Sequence, residues 1–447
     1  MNDIICAIST PIGRGAISIV RLNGQGCLNI AKKVFQSKKI NDFSKLNPRY
    51  FYLGYFCFDD NTKEHCMMVY FKSPKSYTGE DLIEFHVHGG TILTQKVLNQ
   101  LLNNGVRLAQ PGEFSRRAFE NGKISLDQAE SIIDEINAES EGELKATLSL
   151  ADGKLKNEIL NLQNYLTENI AQIEATLDYP EEDFEKSAKE SIFKNIKKID
   201  YNINSFIESS KNARYLSNGI NISIIGSPNV GKSSLLNALI GSDRAIVTDI
   251  EGTTRDILNE SIYYKGIKFN FIDTAGIRES NDVVEKIGIE KSKKTLISSD
   301  VVIFLLDGSK NLTESDKKLK NLLKNNKNIM IIVNKIDKKR VLEHQENEIC
   351  ISALKGTNID TIKDKIYKMV INEEIDYNKT IIINERQINI LFNCKSILSD
   401  IFKSKDQSMD VIAMLIKKLW NELGKITGQT ENEQIIDLIF SKFCLGK

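Results

Sequence analysis

The sequence predicts a multidomain protein of the α/β and α classes, in which a parallel-sheet α/β domain is inserted into a helical bundle. Three observations support this fold class. The chain has 447 residues, a length that usually corresponds to about two to four domains. Strand and helix patterns alternate through residues 217–376, as expected for a parallel sheet covered on both faces. On both sides of that region, apolar residues recur at spacings of three and four, which indicates amphipathic helices.

Composition and charge limit the possible functions. Basic and acidic residues balance at 60 each, so any contact with nucleic acid must be local or delegated to a partner. The seven cysteines are scattered and form no C-x-x-C pair, so we expect neither a zinc site nor a disulfide framework. The first residues lack a signal-peptide pattern, and no apolar run is long enough to span a membrane. We therefore expect no membrane span and a cytoplasmic location.

Residues 1–120 predict an α/β domain. Strand patterns occur at 4–8, 16–21, 49–58, 66–72 and 82–88, and a helix is predicted over 91–103. On the last strand, Glu84, His86 and His88 would share one polar face. A metal site is the weaker interpretation of this face, because no third ligand lies nearby. The side chains of Arg21, Glu84 and Lys123 either line a polar pocket or are ordinary surface charges, and the pattern leaves both open.

Residues 121–216 and 377–447 predict the two parts of a helical domain. Ten apolar residues form one stripe, which predicts a single long helix: Leu144, Leu148, Ala151, Leu155, Ile159, Leu162, Leu166, Ile170, Ile173 and Leu177. Gly153 interrupts this stripe at modest cost. The stripe predicts either a bundle core or a dimer seam. Further helices are predicted at 188–209, 388–401, 411–423 and 431–443, so residues 217–376 would be an insertion in one bundle.

The inserted region begins with a phosphate-loop motif. Residues 226–234 match G-x-x-x-x-G-K-S/T, between a strand pattern at 220–225 and a helix pattern at 233–240. The two glycines permit a loop that wraps around phosphates, while Lys232 adds a positive charge and the Ser233 hydroxyl is a ligand for Mg²⁺. An ordinary glycine turn before a helix is the alternative. The predicted nucleotide-binding residues of the loop are Asn229, Val230, Gly231, Lys232, Ser233 and Ser234.

Four further motifs follow in the order expected of a GTP-binding domain. Within 252–256, Thr254 is the predicted second hydroxyl ligand of Mg²⁺, and 273–276 places Asp273 and Gly276 near the metal and the γ-phosphate. A carboxylate at Asp337 accepts from both the ring N–H and the amine of guanine, a donor pair that adenine lacks. Five motifs in order make chance a poor explanation and predict GTP binding. The predicted base-binding residues are Asn334, Lys335, Asp337, Ser352, Ala353 and Leu354.

The residue that positions water in small GTPases is missing. Those proteins carry a glutamine directly after the D-x-x-G motif, and this chain has Ile277 there. Either Arg255 or Arg278 is available as an arginine finger, and the sequence does not choose between them. Glu285 is the nearest downstream group that can orient water, although a solvated helix charge explains it equally well.

Several short motifs together resemble the MnmE (TrmE) family of tRNA-modification GTPases. They cover essentially the whole chain. The phosphate loop alone is generic, but the C-terminal C-x-G-K motif joined to the others is specific to this family. The motifs are P-x-G-R-G at 11–15, S-Y-T-G-E-D at 76–81, H-G-G at 88–90, P-G-E-F at 111–114, R-A-F at 117–119, the phosphate loop, G-T-T-R-D at 252–256, and C-x-G-K at 444–447.

The resemblance implies a folate-binding N-terminal domain, a split helical domain, an inserted Ras-like G domain, and a homodimer. It implies that Arg21, Glu84, Lys123 and Lys447 contact a tetrahydrofolate one-carbon donor, 5,10-methylene- or 5-formyl-tetrahydrofolate. Glu285 matches the family's water-orienting glutamate, and Cys444 matches its terminal cysteine. A potassium ion would take the place of an arginine finger. The residues that match its ligands are Asn229, Thr248, Ile250 and Thr253, and Thr248 is also a predicted GTP contact.

The resemblance also implies partners. The family works with the FAD-containing flavoprotein MnmG in a heterotetramer, and together they add an aminomethyl or carboxymethylaminomethyl group to C5 of the wobble uridine of certain tRNAs. Two other functions remain open from the residues alone: a ribosome-assembly GTPase, and a folate-dependent one-carbon transferase with a vestigial G domain. Folate binding separates the family function from the first of these, and GTP turnover separates it from the second.

Overall fold

The computed structural model describes residues 3–178, 182–241, 260–272, 299–323, 328–371 and 375–447. The chain divides into two compact units. The first unit comprises Met1–Ile136, Leu148–Asn204 and Asn384–Lys447, and the second unit comprises Asn137–Thr147 and Ser205–Ile383.

The described strands and helices are numbered in chain order. The strands are β1 Ile5–Ile8, β2 Ile17–Asn23, β3 Phe35–Gln36, β4 Phe51–Cys57, β5 Lys63–Phe71, β6 Leu82–His88, β7 Arg107–Leu108, β8 Ile220–Ile225, β9 Glu260–Tyr264, β10 Ile267–Ile272, β11 Val301–Asp307, β12 Ile329–Asn334 and β13 Ile349–Cys350. The helices are α1 Cys27–Val34, α2 Thr91–Asn103, α3 Glu113–Glu120, α4 Leu126–Asn137, α5 Glu141–Ala151, α6 Lys154–Asp178, α7 Glu182–Ser209, α8 Ala213–Ser217, α9 Lys232–Ile240, α10 Glu314–Leu323, α11 Ile359–Val370, α12 Glu385–Lys403, α13 Met409–Thr427 and α14 Glu433–Ser441.

The first unit contains a seven-stranded sheet in the order β3-β4-β5-β6-β2-β1-β7. The pairings are antiparallel except for β1 with β7. Helices α1 and α2 pack on the face that carries the side chains of Ile83, Phe85 and Val87, which are buried. This confirms the alternation predicted for 82–88. On the opposite face, Phe51 and Leu53 of β4 are about half exposed, at 49% and 54%.

The single long helix predicted over 144–177 is wrong. Two helices, α5 and α6, occupy this stretch and are separated at Asp152 and Gly153. Gly153 has a φ of 82°, a left-handed conformation that ends helices and that glycine adopts without strain. The stripe forms a buried core only from Leu155 to Ile173, whereas Leu148 and Leu177 remain exposed. Helix α6 packs along α13, where the Gln163 side chain donates a hydrogen bond to a backbone carbonyl.

The second unit contains a six-stranded sheet in the order β13-β12-β11-β8-β10-β9. Five strands are parallel, and only β9 runs antiparallel at one edge. Strand β11 is buried over almost its whole length because both faces of the sheet are covered. The predicted parallel-sheet α/β fold is therefore confirmed. The carboxyl ends of the parallel strands meet at one edge, where ligands bind in open α/β sheets.

None of the helices that the structure describes is long and apolar enough to cross a membrane.

Candidate functional site

The phosphate loop joins β8 to α9 in the second unit. Asn229 and Gly231 both adopt left-handed backbone conformations, with φ of 65° and 102°. A Cβ atom on Gly226 would collide with the carbonyl oxygen of Leu305 on the neighbouring strand β11. Only glycine therefore allows the loop to pack this closely against the sheet. A loop of this shape at a helix N-terminus presents backbone N–H groups to an anion.

The ammonium group of Lys232 lies across this loop. It donates hydrogen bonds to the carbonyl oxygens of Gly226 at 2.8 Å and Ser227 at 3.1 Å. Burial lowers the pKa of Lys232, because the charged form is separated from water. A phosphate oxygen offers stronger charge-assisted hydrogen bonds than these carbonyls, so the side chain is placed to exchange them for a ligand.

Asn334 connects the phosphate loop to the base-binding loop. Its side-chain nitrogen donates to the Val230 carbonyl at 2.9 Å, and its oxygen accepts from the Ala353 backbone N–H at 3.0 Å. Asn334 itself is only 3% exposed. Its side chain therefore joins two loops, which lie at opposite ends of the predicted nucleotide site.

Asp337, the predicted base-reading residue, is exposed. Its carboxylate accepts a hydrogen bond of 2.6 Å from the Ser352 hydroxyl, and this bond lowers the pKa of Asp337. The carboxylate is therefore ionised and faces solvent, with acceptor capacity left for a ligand. Leu354 is 82% exposed at the rim of the same loop, and Ser233 and Ser234 are exposed in the first turn of α9.

Asp307 at the end of β11 also belongs to this site, and it was not among the predicted site residues. Its carboxylate forms an ion pair of 2.6 Å with Lys335, and the same ammonium donates to the Asn229 carbonyl at 2.8 Å. Burial alone would raise the pKa of Asp307, but the bonds from Lys335 and Ser309 outweigh it and lower the pKa. The signal available in the sequence was its position, since Asp307 and Asn334 end adjacent parallel strands in register.

A second missed residue, Asp316, supports the phosphate loop from the side. One carboxylate oxygen accepts from the Ser227 hydroxyl at 2.5 Å, and the other accepts from the hydroxyl and the backbone N–H of Thr313 at 2.7 and 2.9 Å. Thr313 and Asp316 thus form a capping box at the start of α10. The sequence signal was the T-x-x-D spacing, but only the fold shows that the same carboxylate holds Ser227.

Several predicted site residues lie outside the described residues. They are the predicted magnesium and γ-phosphate contacts, the potassium ligands other than Asn229, and the water-orienting glutamate: Thr248, Ile250, Thr253, Thr254, Asp273, Gly276 and Glu285. Arg255, Ile277 and Arg278 lie outside them as well.

The first unit contains a separate polar cluster around Arg21 and Glu84. These residues face each other on paired strands β2 and β6, and the guanidinium donates two hydrogen bonds to one carboxylate oxygen, at 2.8 and 3.0 Å. Burial alone would raise the pKa of Glu84, but hydrogen bonds from His86 and Arg21 outweigh it and lower the pKa. The Arg21 guanidinium also lies over the rings of Tyr77 and Phe114, at 5.7 and 5.5 Å from their centroids. The cluster thus combines an ionised carboxylate with two aromatic rings, of which Tyr77 is partly buried and Phe114 is fully buried.

The C-terminal motif reaches this cluster. The Gly446 carbonyl accepts hydrogen bonds from Arg21 at 3.3 Å and from the Ser9 hydroxyl at 3.1 Å. A side chain at Gly446 would collide with the Ile8 carbonyl oxygen, so a glycine is required for this contact. Cys444 is exposed nearby in the sequence.

In the described ranges of the chain, no hydrogen bond joins the two other predicted folate contacts, Lys123 and Lys447, to the cluster. The ammonium of Lys123 donates to the Pro74 carbonyl at 3.0 Å. Within the described part of the chain, neither Lys123 nor Lys447 forms an ion pair with Glu84.

Three family motifs meet in a structural network of charges. Arg117, which is 1% exposed, lies between Glu80 at 3.0 Å, Glu113 at 3.1 Å and Asp3 at 2.7 Å. Arg117, Glu80 and Glu113 come from the R-A-F, S-Y-T-G-E-D and P-G-E-F motifs, respectively, and Asp3 lies outside these motifs. A buried guanidinium needs such counter-charges, so these motifs hold the first unit together.

His86 and His88 also have carboxylate partners. His86 contacts Glu84 at 3.3 Å, and His88 contacts Glu64 at 2.5 Å. Among the residues that the structure describes, no group of three or more potential ligands is arranged to hold a metal ion.

Comparisons with known proteins match the whole chain. The family model described as MnmE helical domain matches residues 126–444, and the model described as GTP-binding protein TrmE N-terminus matches residues 4–123. The tRNA modification GTPase MnmE of Clostridioides difficile is 38% identical over 458 residues, which cover 100% of both chains. MnmE of Aquifex aeolicus is 38% identical over 456 residues, again with 100% of both chains covered. A solved structure of an Aquifex aeolicus Era variant bound to GDP·AlF4− is 28% identical, covers 40% of this chain and 66% of its own, and has a TM-score of 0.26.

Proposed function

The chain belongs to the MnmE family of tRNA modification GTPases, and we propose that it is a potassium-dependent GTPase that modifies wobble uridines together with the flavoprotein MnmG. In this proposal, an aminomethyl or carboxymethylaminomethyl group is added to C5 of the wobble uridine of certain tRNAs, in the cytoplasm. A tetrahydrofolate derivative supplies the one-carbon unit. FAD belongs to the partner.

One observation carries the GTPase part of the proposal. Lys232, Asn334, Asp337 and Ser352 come from three separate stretches of sequence, and hydrogen bonds connect them or their loops at one edge of the parallel sheet. Lys232 would neutralise phosphate charge, and the ionised Asp337 would accept two hydrogen bonds from guanine. The side chains of Asn334 and Asp316 keep the phosphate loop in position for both contacts.

The residues present fit the two metal ions. Magnesium prefers oxygen ligands such as the Ser233 hydroxyl, and it would neutralise charge that develops between the β- and γ-phosphates. Asn229 has an exposed side chain at the tip of the phosphate loop, where its amide oxygen is a neutral ligand suited to potassium. The backbone of Asn229 is held by Lys335 through its carbonyl, which leaves the side chain to the ion. We assign Thr254 to magnesium, and Thr248, Ile250 and Thr253 to potassium, by resemblance.

The Arg21–Glu84 cluster fits a folate ring. The pterin ring presents a ring N–H beside an exocyclic amine, the same donor pair as guanine, and the ionised Glu84 carboxylate accepts such a pair. One of its oxygens receives both bonds from Arg21, while the other, among the residues that the structure describes, has only the longer contact of 3.3 Å with His86. The partly buried Tyr77 adds an aromatic surface for a flat ring. The nearby Gly446 carbonyl supports a role for the C-terminal motif, including Cys444 and Lys447, beside this ring.

The open face of the first-unit sheet supports a homodimer. Phe51, Leu53 and Tyr55 alternate with buried residues along β4 and are 49%, 54% and 48% exposed. An apolar patch of this kind usually marks an interface. We propose that a second copy of the chain covers it, and that MnmG then joins the dimer in a heterotetramer.

The potassium requirement is tested by GTP hydrolysis in KCl and NaCl at equal ionic strength. We expect hydrolysis by the full-length protein to be much faster in KCl. Asn229→Ala should lose this difference and still bind GDP, whereas Asn237→Ala, an exposed asparagine on α9, should retain it. Equal rates in both salts for the wild type would contradict the potassium assignment.

The proposed role of Glu285 has a separate test. Glu285→Ala should abolish GTP hydrolysis without loss of GDP binding, because an alanine cannot orient water. Loss of both would show that the side chain is structural.

A further inference from the structure

The middle of helix α7 carries an exposed basic stripe that the nucleotide and folate sites do not use. Lys194, Lys197, Lys198 and Tyr201 are exposed at helical spacings of three and four, while Ile192, Ile196, Ile199 and Ile203 on the opposite side are buried. Tyr201 is 74% exposed. The stripe rises about 10 Å along the helix axis.

Neighbouring helices extend the stripe on both sides. Toward α6, the Lys198 ammonium lies 6.0 Å from the ring centroid of Tyr165. Toward α12, Asp200 shares a groove of about 370 Å³ with Lys395 and Lys403. We use the term lysine face for the exposed side chains of Lys194, Lys197, Lys198, Tyr201, Lys395 and Lys403. All of them lie in the first unit.

The lysine face differs from an ordinary solvated helix surface in its ion pairs. Surface lysines are commonly matched by acids three or four residues away, and Lys189 in the preceding turns of α7 follows this rule, with Glu185 at 2.9 Å. Within the described residues, Lys194, Lys197 and Lys395 have no carboxylate within 4.0 Å, although Glu190 lies four residues before Lys194. Lys403 has only an exposed pair of 3.7 Å with Asp400. Asp200 is the one acid that lines the groove, so the face keeps a net positive charge.

We propose that the lysine face binds the phosphate backbone of the substrate tRNA. The inference rests on the proposed role in wobble-uridine modification, which requires this chain to approach a folded RNA. Clustered lysines bind phosphates irrespective of base sequence. Exposed tyrosines such as Tyr201 and Tyr165 stack on unpaired bases, which RNA loops provide. The chain has no net charge, so a local face of this kind is where direct RNA contact is expected.

The proposal is tested by measuring how tightly the full-length protein binds an unmodified tRNA transcript. Fluorescence anisotropy gives the binding constant at KCl concentrations from about 50 to 200 mM. The variant Lys194→Ala/Lys197→Ala/Lys395→Ala removes three lysines of the face. The matched control, Lys32→Ala/Lys33→Ala/Lys38→Ala, removes three exposed lysines in and after α1.

Each phosphate contact contributes about 0.7–0.9 to the slope of log K against log salt. The face variant should therefore lose about 2 to 3 units of slope and bind at least about tenfold more weakly at 0.1 M salt, while the control binds like the wild type. Unchanged binding by the face variant, an equal loss in the control, or equally tight binding of polyglutamate by the wild type would overturn the proposal.

An experiment in cells distinguishes failure of this inference from failure of the proposed function. In cells that lack the chain, the face variant should restore wobble modification less well than the control variant. If the face variant restores wobble modification fully, the proposed role of the lysine face in tRNA binding is wrong, and the proposed function of the chain is unaffected. If loss of the chain leaves wobble uridines fully modified, the proposed function itself fails. GTP hydrolysis in both variants should match the wild type, which shows that the second unit remains intact.

Discussion

Removal of the Asn334 side chain should destabilise the second unit by a predictable amount. Asn334→Ala leaves two buried backbone groups without partners, the Val230 carbonyl and the Ala353 N–H, because the side chain bonds both at 2.9 and 3.0 Å. Val230 and Ala353 are 4% and 7% exposed, so water replaces these bonds poorly. An unpaired buried group costs about 1–3 kcal/mol, and the two together cost about 2–6 kcal/mol.

Hydrogen exchange in the full-length protein measures this cost directly, because the chain has more than one unit and a single unfolding transition is not expected. Protected amides of β8 and β11 should exchange about 30-fold to 10⁴-fold faster in the variant, at about 1.4 kcal/mol per factor of ten.

The matched control is Asn328→Ala, which truncates an exposed asparagine directly before β12, the strand that ends at Asn334. Among the described residues, the Asn328 side chain donates only to the Asp300 carbonyl, at 3.0 Å, and we expect a change in stability within about 0.5 kcal/mol. If Asn334→Ala accelerates exchange no more than Asn328→Ala does, the two buried bonds do not hold the loops together and the reasoning is refuted.

Three further predictions concern buried ionisable side chains. Asp316→Ala removes the carboxylate that accepts a hydrogen bond from Ser227 of the phosphate loop, and it should weaken GDP binding about 5- to 30-fold. Calorimetric titration with GDP measures this change, and unchanged affinity would show that Asp316 does not position the loop. Arg386→Met leaves Glu130 and Glu431, each 5% exposed, buried without a counter-ion and should lower the free energy of unfolding of the first unit by about 3–5 kcal/mol; the thermal transition of that unit should show part of this stability restored when Glu130→Gln is added, and an unchanged midpoint of that transition would contradict the prediction. Burial raises the pKa of Asp127 to about 6, so the folded state retains a proton that the unfolded state releases near pH 4, and stability falls as pH rises between these values. Asp127→Asn should therefore exceed the wild type in denaturant stability by about 3 kcal/mol above pH 6, with little difference below pH 4, and parallel pH profiles would argue against the shift.

The phosphate loop and the alternation of the second unit were predictable because both are local patterns. The strand before Gly226, the glycine spacing and the helix after it all appear within about twenty residues, and each has a direct physical cause. The buried face of β6 followed from alternation alone. Such features depend on neighbours in sequence, which the sequence shows directly.

The roles of Asp307, Asp316 and Gly446 were not predictable in the same way, because each depends on which distant element becomes a neighbour. Asp316 caps its own helix, as spacing indicates, but its contact with Ser227 requires the packing of α10 beside the loop. The Gly446 carbonyl meets Arg21 across almost the whole chain length.

The break at Gly153 was missed for a different reason. Apolar spacing continues through the break, so periodicity does not detect it, and a glycine inside a helix costs only about 1 kcal/mol. The observed φ of 82° shows that the conformational freedom of glycine decides the structure at this position.

The proposed function is tested most directly by mass spectrometry of tRNA nucleosides from cells that lack this chain. We expect wobble uridines in these cells to lose their aminomethyl-type group at C5, and we expect the wild-type chain to restore it while Arg21→Ala and Asp337→Ala, one change in each site, do not. Wobble uridines that stay fully modified without the chain would show that the chain does not have this function.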